Sequence, residues 1–147
     1  MKKRRIGILT GGGYCPGLNA VIRAATKTAV ADYSMEVVGY IDGFKGLVEN
    51  HFIRLDAKAV SGIAHRGGTI LGTTNRDNPF RYLVGGTPEK PEFADVSDRA
   101  IENLNRLGID GLIIIGGDGS LNIAEQFYKK GVPIVGVPKT IDNDLSA

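Results

Sequence analysis

Residues 138–144 read Pro-Lys-Thr-Ile-Asp-Asn-Asp and follow an apolar run. Alternate residues of an extended segment point the same way, so Asp142 and Asp144 can face one site beside the Thr140 hydroxyl. A hydroxyl attacking a phosphate needs a base within hydrogen-bond reach, and a Mg²⁺ ion on the phosphates needs a carboxylate nearby; this segment offers both. Adjacent carboxylates repel, which raises one pKa unless a cation offsets them. The apolar Ile141 between Thr140 and Asp142 sets the segment apart from an ordinary solvated Asp/Asn turn.

Two glycine loops point to the same chemistry. Residues 116–120 read Gly-Gly-Asp-Gly-Ser after an apolar run. Gly119 and Ser120 can present N–H groups to phosphate oxygens, while Asp118 can hold Mg²⁺ between those oxygens. An Asp-Gly turn with Ser120 as a helix cap is the plainer alternative. Residues 10–17, Thr-Gly-Gly-Gly-Tyr-Cys-Pro-Gly, form a strand-to-helix turn in which bare backbone and a helix N-terminus can meet a phosphate. The loop is neither a dinucleotide fingerprint nor a P-loop, and a tight turn would also use these glycines.

These loops need strands that end together. Arg5–Thr10 reads as a buried strand, residues 17–30 as a helix and 35–41 as a second strand, with Asp42-Gly43 as a turn. A short strand is expected near 52–55 and a helix near 57–63. Residues 74–91, rich in Pro, Asn and Asp, read as a long exposed loop. Ser97 is expected to cap a helix to Leu107, residues 111–115 form an apolar strand, 120–130 a helix and 132–137 the last strand. Alternating strands and helices, with strands apolar on both faces, predict an α/β fold: three layers, doubly wound, around a mostly parallel, Rossmann-like sheet. Ligands in such sheets bind beyond the carboxyl ends of the strands, where the loops at Gly11, Gly116 and Pro138 all begin.

The chain of 147 residues has room for one domain with a core, and its 18 basic and 16 acidic residues give a net charge of +2. That balance gives no reason to invoke nucleic acid or an anionic membrane. No apolar run is long enough for a membrane span, and Cys15 is the only cysteine, so a cytoplasmic setting is the expectation. His51 and His65 have no metal-ligand spacing. Arg23 and Lys27 lie four apart and share a helix face, read as solvated.

In order and spacing, residues 6–20, 39–47, 66–72, 115–120 and 140–144 resemble the N-terminal part of the 6-phosphofructokinase family over essentially the whole chain. The resemblance implies ATP-driven phosphorylation of the 1-hydroxyl of fructose 6-phosphate, with Mg²⁺, in glycolysis. It makes Asp142 the general base, with Thr140, Ile141 and Asp142 lining the sugar-phosphate site, and Asp144 supporting the metal or orienting the base. Asp118 would serve the metal. Gly13, Gly117, Asp118, Gly119 and Ser120 would hold the donor phosphates, Phe44 would lie against the nucleotide, and Arg76 would stabilise charge on the transferred group. Tyr14 departs from the aspartate common in the family, and Asn75-Arg76 departs from its usual arginine-phenylalanine order.

Gly119 is similar to ATP-dependent members, whereas Lys139 is similar to pyrophosphate-dependent ones, so pyrophosphate stands as the alternative donor. The resemblance further implies residues 1–147 as a phosphoryl-donor-binding domain, with a C-terminal sugar-phosphate-binding half outside this chain. A homo-oligomer, dimer or tetramer, with allosteric control is expected of the full-length protein, and no catalysis of this piece alone. A non-catalytic nucleotide-binding or interface module is the other alternative.

Overall fold

A computed structural model describes residues 3–12, 17–74 and 77–139. Among the described residues, seven strands and four α-helices follow one another as β1 (Arg5–Thr10), α1 (Leu18–Lys27), β2 (Glu36–Tyr40), α2 (Phe44–Glu49), β3 (Phe52–Leu55), β4 (Tyr82–Gly86), β5 (Pro91–Ala94), α3 (Ser97–Leu107), β6 (Gly111–Gly116), α4 (Asp118–Lys129) and β7 (Ile134–Pro138). Helix α1 widens into a π-helical turn at Thr28–Asp32, and Ile63–His65 forms one 3₁₀ turn.

The main sheet runs β3-β2-β1-β6-β7. Four of its strands are parallel, and β3 pairs antiparallel with β2 at one edge. The chain leaves β1 toward β2 on one side and returns on the other as β6, so the strand order reverses between β1 and β6. In a doubly wound sheet that reversal opens a crevice at the carboxyl ends. The expected α/β architecture is therefore present.

Alternation along the strands fills two cores. Leu9, Val38, Tyr40, Leu112 and Ile114 face Phe44, Leu47, Ala100, Leu104, Ala124 and Phe127 of α2, α3 and α4. Ile8, Val37 and Ile115 face Leu18 and Ile22 of α1, together with Val60, Ile63 and Leu71. Both faces are thus covered, as a parallel sheet requires.

Three expectations need correction. Residues 57–62 form successive turns instead of a helix. The Asp56 carboxylate accepts the Ala59 N–H at 2.7 Å, and Gly62 takes a left-handed φ of 76° that no regular helix allows. Val60 and Ile63 mimic helical spacing only because both reach the core. The supposed loop 74–91 contains β4, which pairs with β5 across a tight reverse turn held by Thr87 and Lys90. Ser97 is the first helical residue, not the cap; its N–H and Oγ–H both donate to Asp95, at 2.9 and 2.6 Å. Those bonds hold the Asp95 carboxyl below its ordinary range.

Candidate functional site: the crevice at the carboxyl ends of β1, β6 and β7

The parallel ladder continues one bond beyond each strand. Gly11 donates to the Ile115 carbonyl at 2.9 Å, and Lys139 donates to the Gly116 carbonyl at 3.0 Å. Register therefore sets Gly11, Gly116 and Lys139 abreast at the switch point. The Lys139 side chain leans across this row: its Nζ lies 3.9 Å from where a Cβ on Gly12 would stand. The described starts of the three loops chosen from sequence lie together here.

Ser120 explains two of the glycines. It is buried beneath the row, and a Cβ on Gly11 would come within 2.3 Å of its Oγ, whereas one on Gly116 would come within 2.4 Å of its Cβ. No real Cβ tolerates such approach, so helix α4 can press against both loops only if they lack side chains. Gly119 differs. Nothing lies within 4 Å of its Cβ position, so the open space there is not required by packing.

Helix α4 begins with the Leu121 N–H donating to the Gly117 carbonyl at 2.9 Å. The N–H groups ahead of Leu121 consequently have no partner within the helix. Among the described residues, no side chain caps α4 or α1. The start of α4, with no side-chain cap among the described residues, offers backbone donors and roughly half a positive charge that favour an anion.

The Asp118 carboxylate stands exposed in the first turn of α4 with no hydrogen-bond or ion-pair partner among the described residues. No group of three or more His, Cys, Asp or Glu side chains that could hold a metal gathers among those residues. Among those residues Asp118 offers a cation one carboxylate. That suits Mg²⁺, which commonly uses one or two carboxylates plus substrate phosphates, and does not suit an all-protein cage.

Phe44 lies deeper than its expected place against a nucleotide. It is 2% exposed, stacks on Phe127 at 6.4 Å between centroids, and its ring edge comes 3.5 Å from the Cβ position of Gly11. Its visible role is to floor the first loop. Gly13, Arg76, Thr140, Ile141, Asp142 and Asp144 lie outside the described residues, as do Tyr14, Cys15 and Asn75.

Residues 66–74, most of which carry part of the family resemblance, form a strap that holds the start of the first loop from the side, contacts that the sequence did not reveal. Buried Thr10 donates to the Gly72 carbonyl at 2.9 Å and lies 3.2 Å from the Thr69 hydroxyl. Thr73 Oγ1 donates to the Gly12 carbonyl at 2.7 Å, and Gly12 donates to the Thr74 carbonyl at 3.3 Å. The one local signal was three threonines within residues 69–74.

A cavity of about 220 Å³ opens at the other end of the sheet, among Ile101, Leu104, Ile109, Val132 and Pro133. Asn105 and Lys130 also line it, and it lies at the amino ends of the parallel strands, away from the glycine loops. It matches none of the chemistry above.

An α/β sheet with bare-backbone loops abreast at its switch point defines a protein of the doubly wound class. A family model described as Phosphofructokinase matches residues 5–147, and the chain belongs to that family. It is 57% identical to ATP-dependent 6-phosphofructokinase 2 of Clostridium perfringens, over 98% of this chain and 39% of that protein. It is 46% identical to a pyrophosphate–fructose 6-phosphate 1-phosphotransferase of Streptomyces coelicolor, over 97% of this chain and 39% of the relative. The chain thus spans about two fifths of the length of these relatives. Its fold superimposes on the T-state crystal structure of Pichia pastoris phosphofructokinase with a TM-score of 0.83 and 30% identity, over 100% of this chain and 16% of that one. No helix among the described residues is long and apolar enough to cross a membrane.

Proposed function

We propose that this chain is the phosphoryl-donor-binding part of a cytoplasmic 6-phosphofructokinase, which transfers a phosphoryl group from ATP to the 1-hydroxyl of fructose 6-phosphate. The single observation that carries the reading is the alignment of Gly11, Gly116 and Lys139 at the switch point, beside the start of α4. Phosphoryl transfer asks a protein mainly for positioning and charge stabilisation, and this row supplies both.

In this reading the N–H groups of Gly117, Gly119 and Ser120, with those of Gly13, hold donor oxygens. Asp118 is the carboxylate for Mg²⁺, which when bound neutralises charge on the donor phosphates. Lys139 adds an ammonium beside Gly12, and Arg76 balances charge on the transferred group. Thr140, Ile141 and Asp142 contact the sugar phosphate, and Asp142 accepts the proton of the attacking hydroxyl, with Asp144 behind it. The enzyme works as a homo-oligomer.

ATP is favoured over pyrophosphate because Gly119 leaves open space where a larger donor would pass and because the 57% identical relative is named ATP-dependent. The pyrophosphate-named relative at 46% and the ammonium of Lys139 support the second reading. Titration of the full-length protein with each donor, at fixed Mg²⁺ and fructose 6-phosphate, separates them. Saturable turnover with ATP is expected. Turnover with pyrophosphate alone would overturn the donor, and turnover with neither would overturn the reading.

A further inference from the structure

We infer that Thr73 is a positioning residue for the phosphoryl donor: its hydroxyl clamps the Gly12 peptide and so fixes the first glycine loop. The inference rests on the donor site proposed above. Gly12 occupies the left-handed region at φ 81°, a conformation that glycine adopts freely and also leaves freely. Something must hold it. The ladder bond at Gly11 fixes the chain before it, but Gly12 itself lies beyond the strand.

Both polar groups of Gly12 are engaged by the same two residues. Its carbonyl accepts from Thr73 Oγ1 at 2.7 Å, and its N–H donates to Thr74 O at 3.3 Å. The hydroxyl bond is the shorter one. Because the peptide unit is planar, a bond to the Gly12 carbonyl also limits rotation of the peptide that follows Gly12. Losing this bond would release a peptide rotation directly ahead of a donor-binding N–H.

The clamp has a rigid base. Asn19, buried on α1, donates to the Arg66 carbonyl at 3.0 Å and accepts from the Ile70 N–H at 2.8 Å. Asp42 N–H donates to the Leu71 carbonyl at 2.9 Å, and Thr10 donates to the Gly72 carbonyl. Thr73 therefore extends from a strap tied to α1, β1 and the β2 turn. It transmits their position to Gly12 without itself touching the reacting atoms.

The test compares Thr73→Val, which keeps the shape and removes the hydroxyl, with Thr73→Ser, which keeps the hydroxyl, both in the full-length protein. The valine variant should raise the donor KM about five- to tenfold, the equivalent of one ordinary hydrogen bond, with the fructose 6-phosphate KM within about twofold of wild type. Serine should restore the donor KM. Amide hydrogen exchange across residues 10–13, read without any donor, should quicken in the valine variant alone.

An unchanged donor KM, unchanged exchange, or a uniform loss that serine does not rescue would overturn the role of Thr73. Wild-type protein that turns over with neither donor would overturn the functional reading instead, and the exchange comparison would still decide the clamp.

Discussion

Ser120 sits where two loops and a helix compete for one volume, and its neighbours have yielded their side chains to it. Gly11→Ala should destabilise the fold by about 1–3 kcal/mol, because the new methyl overlaps Ser120 Oγ. Adding Ser120→Gly should recover part of that loss, a coupling that denaturant melts of the two single variants and the double variant would measure. Gly119 makes the opposite case. The Cβ added by Gly119→Asp meets no atom within 4 Å among the described residues, so the thermal midpoint should stay within about 2 °C of wild type. A carboxylate placed among donor phosphates should nevertheless raise the ATP KM by at least about tenfold, roughly 1.4 kcal/mol. Equal ATP KM values in this variant and in wild type would remove Gly119 from the donor site.

At the scale of elements, the first strand is tied at both ends. At its carboxyl end the strap grips Thr10 and Gly12; at its amino end Arg5 holds Glu36 of β2 at 2.6 Å. The hydrogen bond from Arg5 keeps the Glu36 carboxyl below its ordinary 4.5. A carboxyl lowered in the folded state contributes stability that is fully present above the unfolded value and is lost as pH falls through the folded one. Stability should therefore decline below about pH 4.5, and Glu36→Gln should flatten that decline in melts between about pH 5 and pH 3. Buried Tyr40 and Tyr82 behave oppositely: burial raises both phenols to about 12, with the Tyr82–Glu49 bond adding to the second. Both remain neutral through the physiological range.

The elements legible in sequence were those with unbroken local signals. The strand bounds of β1 were read to the residue, because a continuous apolar run ends in three glycines. The hairpin β4–β5 was not, since Gly85, Gly86, Pro88 and Pro91 interrupt its alternation and its register slips between Leu83 and Gly85. Helix α2 was missed because it is only six residues long and carries Gly46, whose Cβ position lies 2.1 Å from the Ile41 carbonyl. The loops of the candidate site were legible because glycine after an apolar strand is a local pattern. Thr73 was not, because its partner is 61 residues away and nothing in its own neighbourhood names Gly12.

At the scale of the molecule, a parallel sheet gathers residues distant in sequence by ending its strands on one line. Two ladder seams bring Gly11, Gly116 and Lys139 to a single edge, and α4 begins there with no side-chain cap among the described residues. The cavity among Ile101, Leu104 and Val132 lies at the opposite end and gives a built-in control. Hydrogen–deuterium exchange of the full-length protein, with and without MgATP, addresses the two ends in one measurement. Protection on donor binding is expected in peptides covering residues 10–13, 116–121 and 138–144, with no change at residues 101–111 and 130–133. Protection confined to the cavity end, or none at the three loops under saturating donor, would contradict a donor site at the carboxyl edge of the sheet.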